Sequence, residues 1–497
     1  MNISQVINSS IITKNIFSPN CQYLLVPKGS NIVLYSLNPS IKKLNKFSFP
    51  STINISLFSP SSNYFLVLLS KLYEIQIKSV KNYDFTFKIQ ETIFGINSVI
   101  WSSDDYHILL SLNSYNTIHL YSTTYEYDNI EEEFESTNNN NKYPKNFIGS
   151  ISNIKYQNLV QGTSFSYGGE FLAIAIRKQI KDYIEIYYTK NFELVSNFVV
   201  NTTDLENIIW AKDNTYIITW ENNHFDSKLY IYGLSGNLLS INEPYKNYPG
   251  ITIIKISPNG HYITCGYYDN SIKLYHYLSF KICKEINPSN LLFPDIFNKN
   301  SDFKFDKTVI LVENSKKNEF KHLIEQEKYM FNVEKSYPKN VINNNNINND
   351  LYCITNLDYS FNSKYLAFTS NKYQHILMIY DITSFKLSFL LVFENNVIHF
   401  EWSPNSIQLV ICTETKNKIY FFVPQKVKII NLPNVNDKND TNENSVMSNT
   451  TMSSINTKKA SSNNKIDKKI FISSDGQKIL LKISKYNFFL IEPGNDI

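Results

Sequence analysis

A ten-residue unit that recurs along the chain constrains the fold more than any other feature of the sequence. Each copy has an apolar residue, then Ser or Ala, a polar turn, and an apolar run that is typical of a β-strand. Nine copies begin at Phe17, Phe58, Trp101, Phe165, Trp210, Ile256, Tyr359, Trp402 and Ile472. Repetition of this kind predicts an architecture built from stacked copies of one structural unit.

The spacing between copies identifies the unit. Five of the eight intervals between successive Ser or Ala positions are 41 to 46 residues long, which is the length of one four-stranded blade of a β-propeller. The 33 Phe and 35 Tyr residues also favour strands over helices. One blade leaves both faces of its sheet exposed, so consecutive blades must pack around an axis. The sequence therefore predicts an all-β propeller.

The three long intervals contain additional segments. Asn- and Ser-rich inserts lie at 131–146, 337–350 and 433–465, and their composition predicts disordered loops between strands. The interval of 103 residues has room for about two blades. The runs at 307–313 and 328–333 supply strands for one degenerate unit, so we expect about ten divergent four-stranded blades.

A ring of ten blades exceeds the four to eight that are typical of one propeller. We therefore expect two packed propellers. The N-terminal WD-repeat propeller would occupy residues 1–290, and residues 291–497 would form a C-terminal propeller or the remaining blades.

Four Ser-Pro dipeptides, which end at Pro19, Pro60, Pro258 and Pro404, match the pattern of proline-directed phosphorylation sites. All four occupy the same turn of the repeat, where proline pre-sets the backbone. The sequence favours this structural role over modification.

Composition argues against several classes of function. The net charge is +4 and the lysines are spread along the chain, so we expect no nucleic-acid partner. No apolar run approaches the length that spans a bilayer, and the N-terminus lacks the features of a secretory signal, so we expect a cytoplasmic protein without membrane contact.

Signatures of catalysis and of cofactor binding are also missing from the sequence. The five cysteines are scattered and indicate buried thiols in a reducing compartment. We find no metal-ligand spacing, phosphate loop or nucleophile motif. The sequence therefore predicts no cofactor, no metal, no catalytic residue and no enzyme activity.

Arg177 is the only arginine among 48 basic residues. A guanidinium retained in a lysine-rich chain suggests a bidentate or stacked contact that an ammonium group does not reproduce. Arg177 lies at a hairpin end, where propellers bind partners, so it is a candidate partner-binding residue. A surface residue without a role, or a local ion pair with Asp182, is at least as good an interpretation.

Trp220 is the second candidate for partner binding. Trp101, Trp210 and Trp402 share one position on the first strand of their repeats and are predicted to lie in the core. Trp220 instead ends a second strand, just before the polar stretch 221–226, and we expect it to be half-exposed. It either contacts a partner or packs between blades.

The segment from Gly162 to Pro288 resembles a known family. It contains SFSYGGEFLAIAIRKQIKDYIEIYYTKNFELVSNF, then LYIYGLSGNLLS, then a blade that ends in YLSFKICKEINP. Together with FNSKYLAFTSNKYQHILMIYDITSFKLSFLLVF further along, this ordered set is similar to the spindle-pole WD-repeat family, the WD-repeat-containing protein antisense to tumour protein seventy-three. The resemblance extends from about Ile7 to Pro424. The copies depart from the WD consensus, because Tyr275-His276 stands where Trp-Asp usually ends the third strand.

The resemblance implies a non-catalytic scaffold at the centrosome, spindle pole or another microtubule-organising centre. Its partners would be a coiled-coil spindle-pole anchoring protein and a minus-end-directed kinesin, and it would support spindle assembly by holding microtubule minus ends. The family's partner-binding residues do not transfer to positions in this chain. The alternative that the sequence leaves open is a WD-repeat scaffold in translation initiation or ribosome assembly.

Overall fold

The computed structural model describes residues 2–3, 7–8, 17–38, 41–91, 95–113, 116–123, 146–245, 250–292, 308–314, 317–323, 352–415, 417–424, 426–433, 468–482 and 487–492. These residues form nine β-sheets in chain order, which we call blades 1 to 9, and all their strand pairs are antiparallel except one in blade 7. Besides strands they contain one short helix, α1 (Pro288–Leu292), and two single-turn 3₁₀ helices at Ser70–Leu72 and Asn371–Tyr373.

Two short strands precede blade 1: β1 (Asn2–Ile3) and β2 (Ile7–Asn8). Blade 1 contains β3 (Tyr23–Lys28), β4 (Asn31–Ser36) and β5 (Lys42–Ser48). Blade 2 contains β6 (Ile55–Phe58), β7 (Tyr64–Leu69), β8 (Glu74–Ser79) and β9 (Thr86–Gln90). Blade 3 contains β10 (Ile96–Trp101), β11 (His107–Leu112), β12 (Thr117–Ser122) and β13 (Phe147–Ser152).

The next three blades have four strands each. Blade 4 contains β14 (Thr163–Phe165), β15 (Phe171–Lys178), β16 (Lys181–Tyr188) and β17 (Leu194–Val199). Blade 5 contains β18 (Leu205–Trp210), β19 (Tyr216–Glu221), β20 (Leu229–Gly233) and β21 (Leu238–Asn242). Blade 6 contains β22 (Ile251–Ile256), β23 (Tyr262–Tyr267), β24 (Ile272–His276) and β25 (Ile282–Ile286).

The last three blades complete the set. Blade 7 combines an extra hairpin, β26 (Val309–Asn314) and β27 (Glu319–Leu323), with β28 (Ile354–Tyr359), β29 (Tyr365–Ser370), β30 (Ile376–Asp381) and β31 (Lys386–Val392). Blade 8 contains β32 (Val397–Trp402), β33 (Leu409–Thr413), β34 (Lys418–Val423) and β35 (Lys426–Asn431). Blade 9 contains β36 (Lys469–Ile472), β37 (Ile479–Lys482) and β38 (Asn487–Glu492), with β1 and β2 paired to β38 at its outer edge.

One turn geometry explains the ten-residue repeat. In blade 2 the N–H of Ser62 donates to the carbonyl of Ser59 at 2.9 Å, and Ser59 Oγ accepts the N–H of Tyr64 at 3.2 Å. The fourth turn residue, here Ser62 at φ 65°, adopts the left-handed conformation that Gly, Asn and Asp tolerate best. Eight of the nine repeat turns share this left-handed residue, at Cys21, Ser62, Asp105, Gly169, Asn214, Gly260, Ser363 and Gly476.

The Ser-Pro dipeptides lie in these turns. The four serines that precede the prolines are at most 3% exposed: Ser18, Ser59, Ser257 and Ser403. A hydroxyl buried in the turn is not accessible to a kinase while the blade is folded. The structure therefore agrees with the structural role that the sequence favours.

The packing between blades closes a single ring. Nine apolar clusters each join two consecutive blades. The cluster that contains Phe17, Leu24 and Leu480 joins blade 9 to blade 1, and the pairing of β1 and β2 with β38 brings the N-terminal strands into the last sheet. First strands of neighbouring blades, such as β22 and β28, contact each other, so they lie nearest the axis.

The expectation of two packed propellers is therefore wrong, because the molecule is a β-propeller with nine blades in one ring. The boundary predicted between residues 290 and 291 falls inside α1, and Leu292 packs in a cluster that joins blades 6 and 7.

The prediction of about ten blades is also wrong. Strand β26, in the run 307–313, forms no sheet of its own but pairs in parallel with β31 and so extends blade 7 outward. The other run of the degenerate unit, 328–333, lies outside the described residues, as do the inserts 131–146, 337–350 and 433–465 except for Asn146 and Pro433.

The core otherwise follows the pattern of the sequence. Trp101, Trp210 and Trp402 are buried, as predicted. Three of the five free cysteines are buried, but Cys353 is partly exposed and Cys283 lies exposed on the outer strand β25. None of the helices in the described part of the chain has the length and apolar character needed to cross a lipid bilayer.

Candidate functional site: a platform on the hairpin face

The strand order gives the ring two different faces. Successive strands of a blade are antiparallel, so the hairpin between the second and third strands lies on the same face as the connection to the next blade. We call this the hairpin face. The repeat turns, between first and second strands, lie on the opposite turn face together with the turns between third and fourth strands.

Arg177 lies on the hairpin face, at the end of β15. Its Nε donates to Asp182 Oδ1 at 2.7 Å, and its Nη2 donates to Asp182 Oδ2 at 3.0 Å. Nη2 also donates to Asp204 Oδ1 at 2.6 Å, in the connection between blades 4 and 5. The guanidinium therefore makes the bidentate contact that the sequence suggested, but with carboxylates of its own chain. The ion pair with Asp182 that the alternative interpretation named is present.

Asp182 lies at the centre of a cluster of charged side chains around Arg177, and its own side chain is fully buried. Besides Arg177 it accepts the Nζ of Lys155 at 2.9 Å and the backbone N–H of Leu205 at 2.7 Å. Lys155, whose side chain is only 4% exposed, also pairs with Asp204 Oδ1 at 2.7 Å. A carboxylate with this many charged and backbone donors holds its neighbours in one arrangement.

The loop 153–162, which connects blades 3 and 4, is held from both sides. The hydroxyl of Tyr156 donates to the carbonyl of Leu205 at 2.6 Å, and the amide of Gln161 contacts Glu206 Oε1 at 3.4 Å. On the other side, the N–H of Leu159 donates to the Ser98 hydroxyl in blade 3 at 3.0 Å.

The turn that follows β19 joins the same centre. Glu221 accepts the backbone N–H of Thr203 at 3.1 Å and that of Asp204 at 2.5 Å. The N–H of Asn222 donates to the carbonyl of Asp204 at 2.8 Å. Segment 203–207 therefore connects three loops, and we call the surface formed by 153–162, 177–182, 203–207 and 221–227 the platform.

Three large apolar side chains are exposed on the platform. Ile180 is 92% exposed at the tip of the hairpin 177–182, Val160 is 77% exposed in the loop 153–162, and Phe225 is 59% exposed in the turn after β19. They are among the most exposed large apolar residues that the structure describes. Single exposed apolar residues are ordinary, but these three project from loops that share one hydrogen-bonded centre.

The conformation of Ile180 is strained. Gln179 and Ile180 adopt φ values of 49° and 69°, as a two-residue hairpin turn requires. Asn and Gly normally fill such turns, whereas a β-branched residue with positive φ is an outlier. The hairpin therefore presents an exposed apolar side chain at a conformational cost.

Charged groups of both signs shape the electrostatics of the platform. Burial raises the pKa of the Glu206 carboxyl, and the charge of Asp204 raises it further. Burial is also the main cause that raises the pKa of Tyr156, and the carboxylates Glu206, Asp204 and Asp182 add to it. The hydrogen bonds that Arg177 donates to Asp182 raise the pKa of its guanidinium in turn. Burial is the largest cause of the first two pKa shifts, and the hydrogen bonds to Asp182 are the largest cause of the third.

Trp220 does not join the exposed part of the platform. It is 8% exposed and packs in the cluster between blades 5 and 6 with Leu229 and Ile251. The expected half-exposure is wrong, because the strand that carries Trp220 continues to Glu221 and places the indole between two sheets. Its burial favours the packing role over contact with a partner.

A concave site lies near the axis, on the turn face. It is a cavity of about 280 Å³ lined by residues of first strands and repeat turns: Tyr167, Ile209, Ile254, Lys255, Ile256, Pro258, Asp358 and Tyr359. Its two charged residues, Lys255 and Asp358, form an ion pair at 3.7 Å. In the described part of the chain, no group of three or more His, Cys, Asp or Glu side chains has the geometry to hold a metal ion.

Sequence reasoning selected Arg177 but missed Lys155, Asp204, Glu206 and Glu221. These residues lie outside the ten-residue repeat and share no spacing with one another. The one available signal was Arg177 itself, whose proximity to Asp182 in the hairpin identified one ion pair of the cluster.

Comparisons with known proteins agree with the architecture. A family model described as WD domain, G-beta repeat matches residues 242–276, which include β22, β23 and β24. WD repeat-containing protein WRAP73 of Mus musculus is 23% identical over 433 residues, and the match covers 85% of this chain and 87% of that protein.

Two further comparisons give weaker likenesses. An uncharacterized WD repeat-containing protein of Schizosaccharomyces pombe is 22% identical over 247 residues, covering 49% of this chain and 46% of that protein. A solved structure described as a eukaryotic initiation factor covers 87% of this chain and 97% of its own at 13% identity, with a TM-score of 0.52. At this identity, the structural likeness shows the fold alone.

Proposed function

We propose that this chain, a WD-repeat β-propeller protein homologous to WRAP73, is a non-catalytic scaffold that binds protein partners through the platform. The observation that carries the proposal is the platform itself, in which three exposed apolar side chains project from loops tied to segment 203–207. Propellers suit this role because their loops are held on a rigid ring of packed sheets.

We further propose that the scaffold acts at the spindle pole or another microtubule-organising centre, where it anchors microtubule minus ends and supports spindle assembly. Its partners would be a coiled-coil anchoring protein and a minus-end-directed kinesin. This part of the proposal rests on the family resemblance of residues 162–288 and of the run from Phe361 to Phe393. Cytoplasmic localisation at the cytoskeleton follows from it.

The test is affinity capture of the tagged full chain from dividing cells, with mass spectrometry of the captured proteins and imaging against tubulin. Recovery of a coiled-coil protein or a kinesin, with label at spindle poles, would support the proposal. Recovery of ribosomal or initiation factors with diffuse label would overturn it in favour of a translation scaffold.

A variant with Ile180, Val160 and Phe225 all replaced by Ser tests the role of the platform in the same experiment. The matched control is Leu278→Ser, because Leu278 is 67% exposed and lies on the turn face of blade 6. We expect the triple variant to lose the partners and the control to keep them.

A further inference from the structure

The outer strands of the blades differ in charge. A strand at the edge of a sheet has backbone groups free to pair with another chain, and charged side chains, above all lysine, discourage such pairing. The outer strands β5, β9, β25 and β35 of blades 1, 2, 6 and 8 each carry at least one lysine. The outer strands β13, β17 and β21 of blades 3, 4 and 5 carry no charged residue.

Blades 7 and 9 cover their outer edges with additional strands of this chain. In blade 9, β1 and β2 pair with β38. In blade 7, β26 pairs with β31 over Phe389–Val392, a stretch without charged residues. The register between β30 and β31 shifts between Ile379 and Tyr380, so this covered stretch begins directly after a β-bulge. The added hairpin ends in β27, where Lys321 is exposed at the new edge.

In blade 4, β17 has the equivalent stretch without a cover. Its register with β16 shifts between Ile186 and Tyr187, and the four residues paired after this bulge are Ser196–Val199. They correspond by register to the four residues of β31 that β26 covers. In the part of the chain that the structure describes, no strand pairs with the outer side of β17.

The apolar side chains of β17 distinguish it from the other two uncharged outer strands. Leu194, Val195 and Val199 are 44 to 57% exposed. In β13 the one exposed large apolar residue is Ile148. In β21 only three residues, Ser240–Asn242, pair after the bulge. Of the three, β17 is therefore the strand best suited to pair with four residues of another chain.

We propose that β17 is a docking edge for an extended, uncharged apolar strand of a protein partner, which pairs along Ser196–Val199. The chemistry of the occupant follows from blade 7, where the four paired residues of β26, Val309–Val312, are all apolar. An edge without charges offers a charged strand no opposite charge to offset its desolvation. The inference goes beyond the proposed function, because β17 is not part of the platform.

The test uses the full chain and a fluorescent peptide with the sequence of residues 308–314, whose binding is followed by fluorescence anisotropy. A matched peptide has Leu311 replaced by Pro, which removes a backbone N–H and does not fit a paired strand. We expect the proline peptide to bind at least tenfold more weakly. Hydrogen exchange with mass spectrometry should show slower exchange of the amides of 194–199 in the complex. Equal binding of the two peptides, or protection confined to other strands such as β31, would overturn the proposal.

Lysine substitutions give blade 4 the protection that other blades have. Val195→Lys and Val199→Lys change exposed positions, so the thermal midpoint should stay the same. Each should weaken the peptide about tenfold, the scale for losing one apolar contact. The matched control is Leu44→Lys, because Leu44 is exposed and occupies the bulge of β5 as Val195 occupies that of β17.

The control should bind the peptide like the wild type, because β5 already carries three lysines. An equal loss in Leu44→Lys and Val195→Lys, or no loss in either variant of β17, would contradict the assignment of this edge.

The oligomeric state distinguishes a partner strand from a second copy of this chain. We expect analytical ultracentrifugation to give the mass of a monomer for the wild type and for Val199→Lys. A dimer that Val199→Lys dissociates would show that β17 pairs with another copy of itself, and the proposal of a partner strand would fail.

Discussion

Removal of the Asp182 carboxylate is expected to destabilise the ring strongly. Its side chain is fully buried and accepts bonds from Arg177, Lys155 and Leu205. Asp182→Ala leaves the buried Lys155 ammonium with Asp204 as its remaining carboxylate and deprives the Leu205 N–H of its acceptor. Breaking a buried ion pair in this way costs about 3–5 kcal/mol.

Arg177 contributes less, because its side chain is 40% exposed and water screens its charge. We expect Arg177→Ala to cost about 1–2 kcal/mol. Arg177→Lys keeps the charge but replaces the planar fork, which donates from Nε and Nη2 at once, so it should cost about 1 kcal/mol. The double variant Asp182→Ala/Arg177→Ala should lose less free energy of unfolding than the two single variants together. We expect a coupling free energy of about 1–2 kcal/mol between the two sites.

Equilibrium urea unfolding, followed by tryptophan fluorescence and circular dichroism, measures these free energies. The control is Glu193→Ala, an exposed carboxylate at the turn before β17 of the same blade, which should stay within about 0.5 kcal/mol of the wild type. A loss below about 1 kcal/mol for Asp182→Ala, or additivity with Arg177→Ala, would refute the reasoning that Asp182 organises the cluster.

Three further predictions concern the ring. Ser59→Ala should lower the free energy of unfolding by about 1 kcal/mol through the lost hydrogen bond to the Tyr64 N–H. A proline-directed kinase should phosphorylate Ser59 only after unfolding, and mass spectrometry of the native and the denatured protein after kinase treatment tests this. Gly169→Ala should lower the thermal midpoint, since φ is 73° and the new Cβ would lie 2.4 Å from Ser103 Oγ; an unchanged midpoint contradicts this. Burial raises the pKa of Glu91, but hydrogen bonds from His119 and Tyr121 and the His119 charge outweigh it, so the net pKa is lowered. Its stabilisation is therefore present above the pKa of the unfolded chain and lost as pH falls, and Glu91→Gln should flatten the acid side of a stability–pH curve.

The blades were predictable from the repeat because nearly every blade uses the same turn geometry between its first and second strands. In blade 6, the copy that begins at Ile256 has its polar turn followed by the apolar run that forms β23, as the repeat predicts. The turn residues were recognisable because a left-handed φ restricts the choice to a few residue types.

The number of blades was not predictable from the spacing of the repeats. The run 307–313 has the pattern of a strand, but this strand joins the sheet of blade 7 and does not belong to a separate blade. Val309 to Val312 pair in parallel with Phe389 to Val392, residues that lie far along the chain. Local pattern predicts that a strand exists, whereas its place in a sheet depends on distant residues. The same reason explains the error in Trp220, whose burial is decided by the neighbouring blade.

The platform was harder to predict because it lies where the repeat is broken. On the turn face, eight copies of one turn follow one backbone rule, so that face is nearly uniform around the ring. On the hairpin face, the loop 153–162 and the turn 221–227 have no counterpart with the same residues in other repeats. A ring of similar blades distinguishes one partner from another only through positions where the blades differ. Lys155, Asp204 and Glu206 lie at such positions, so a search for repetition does not find them.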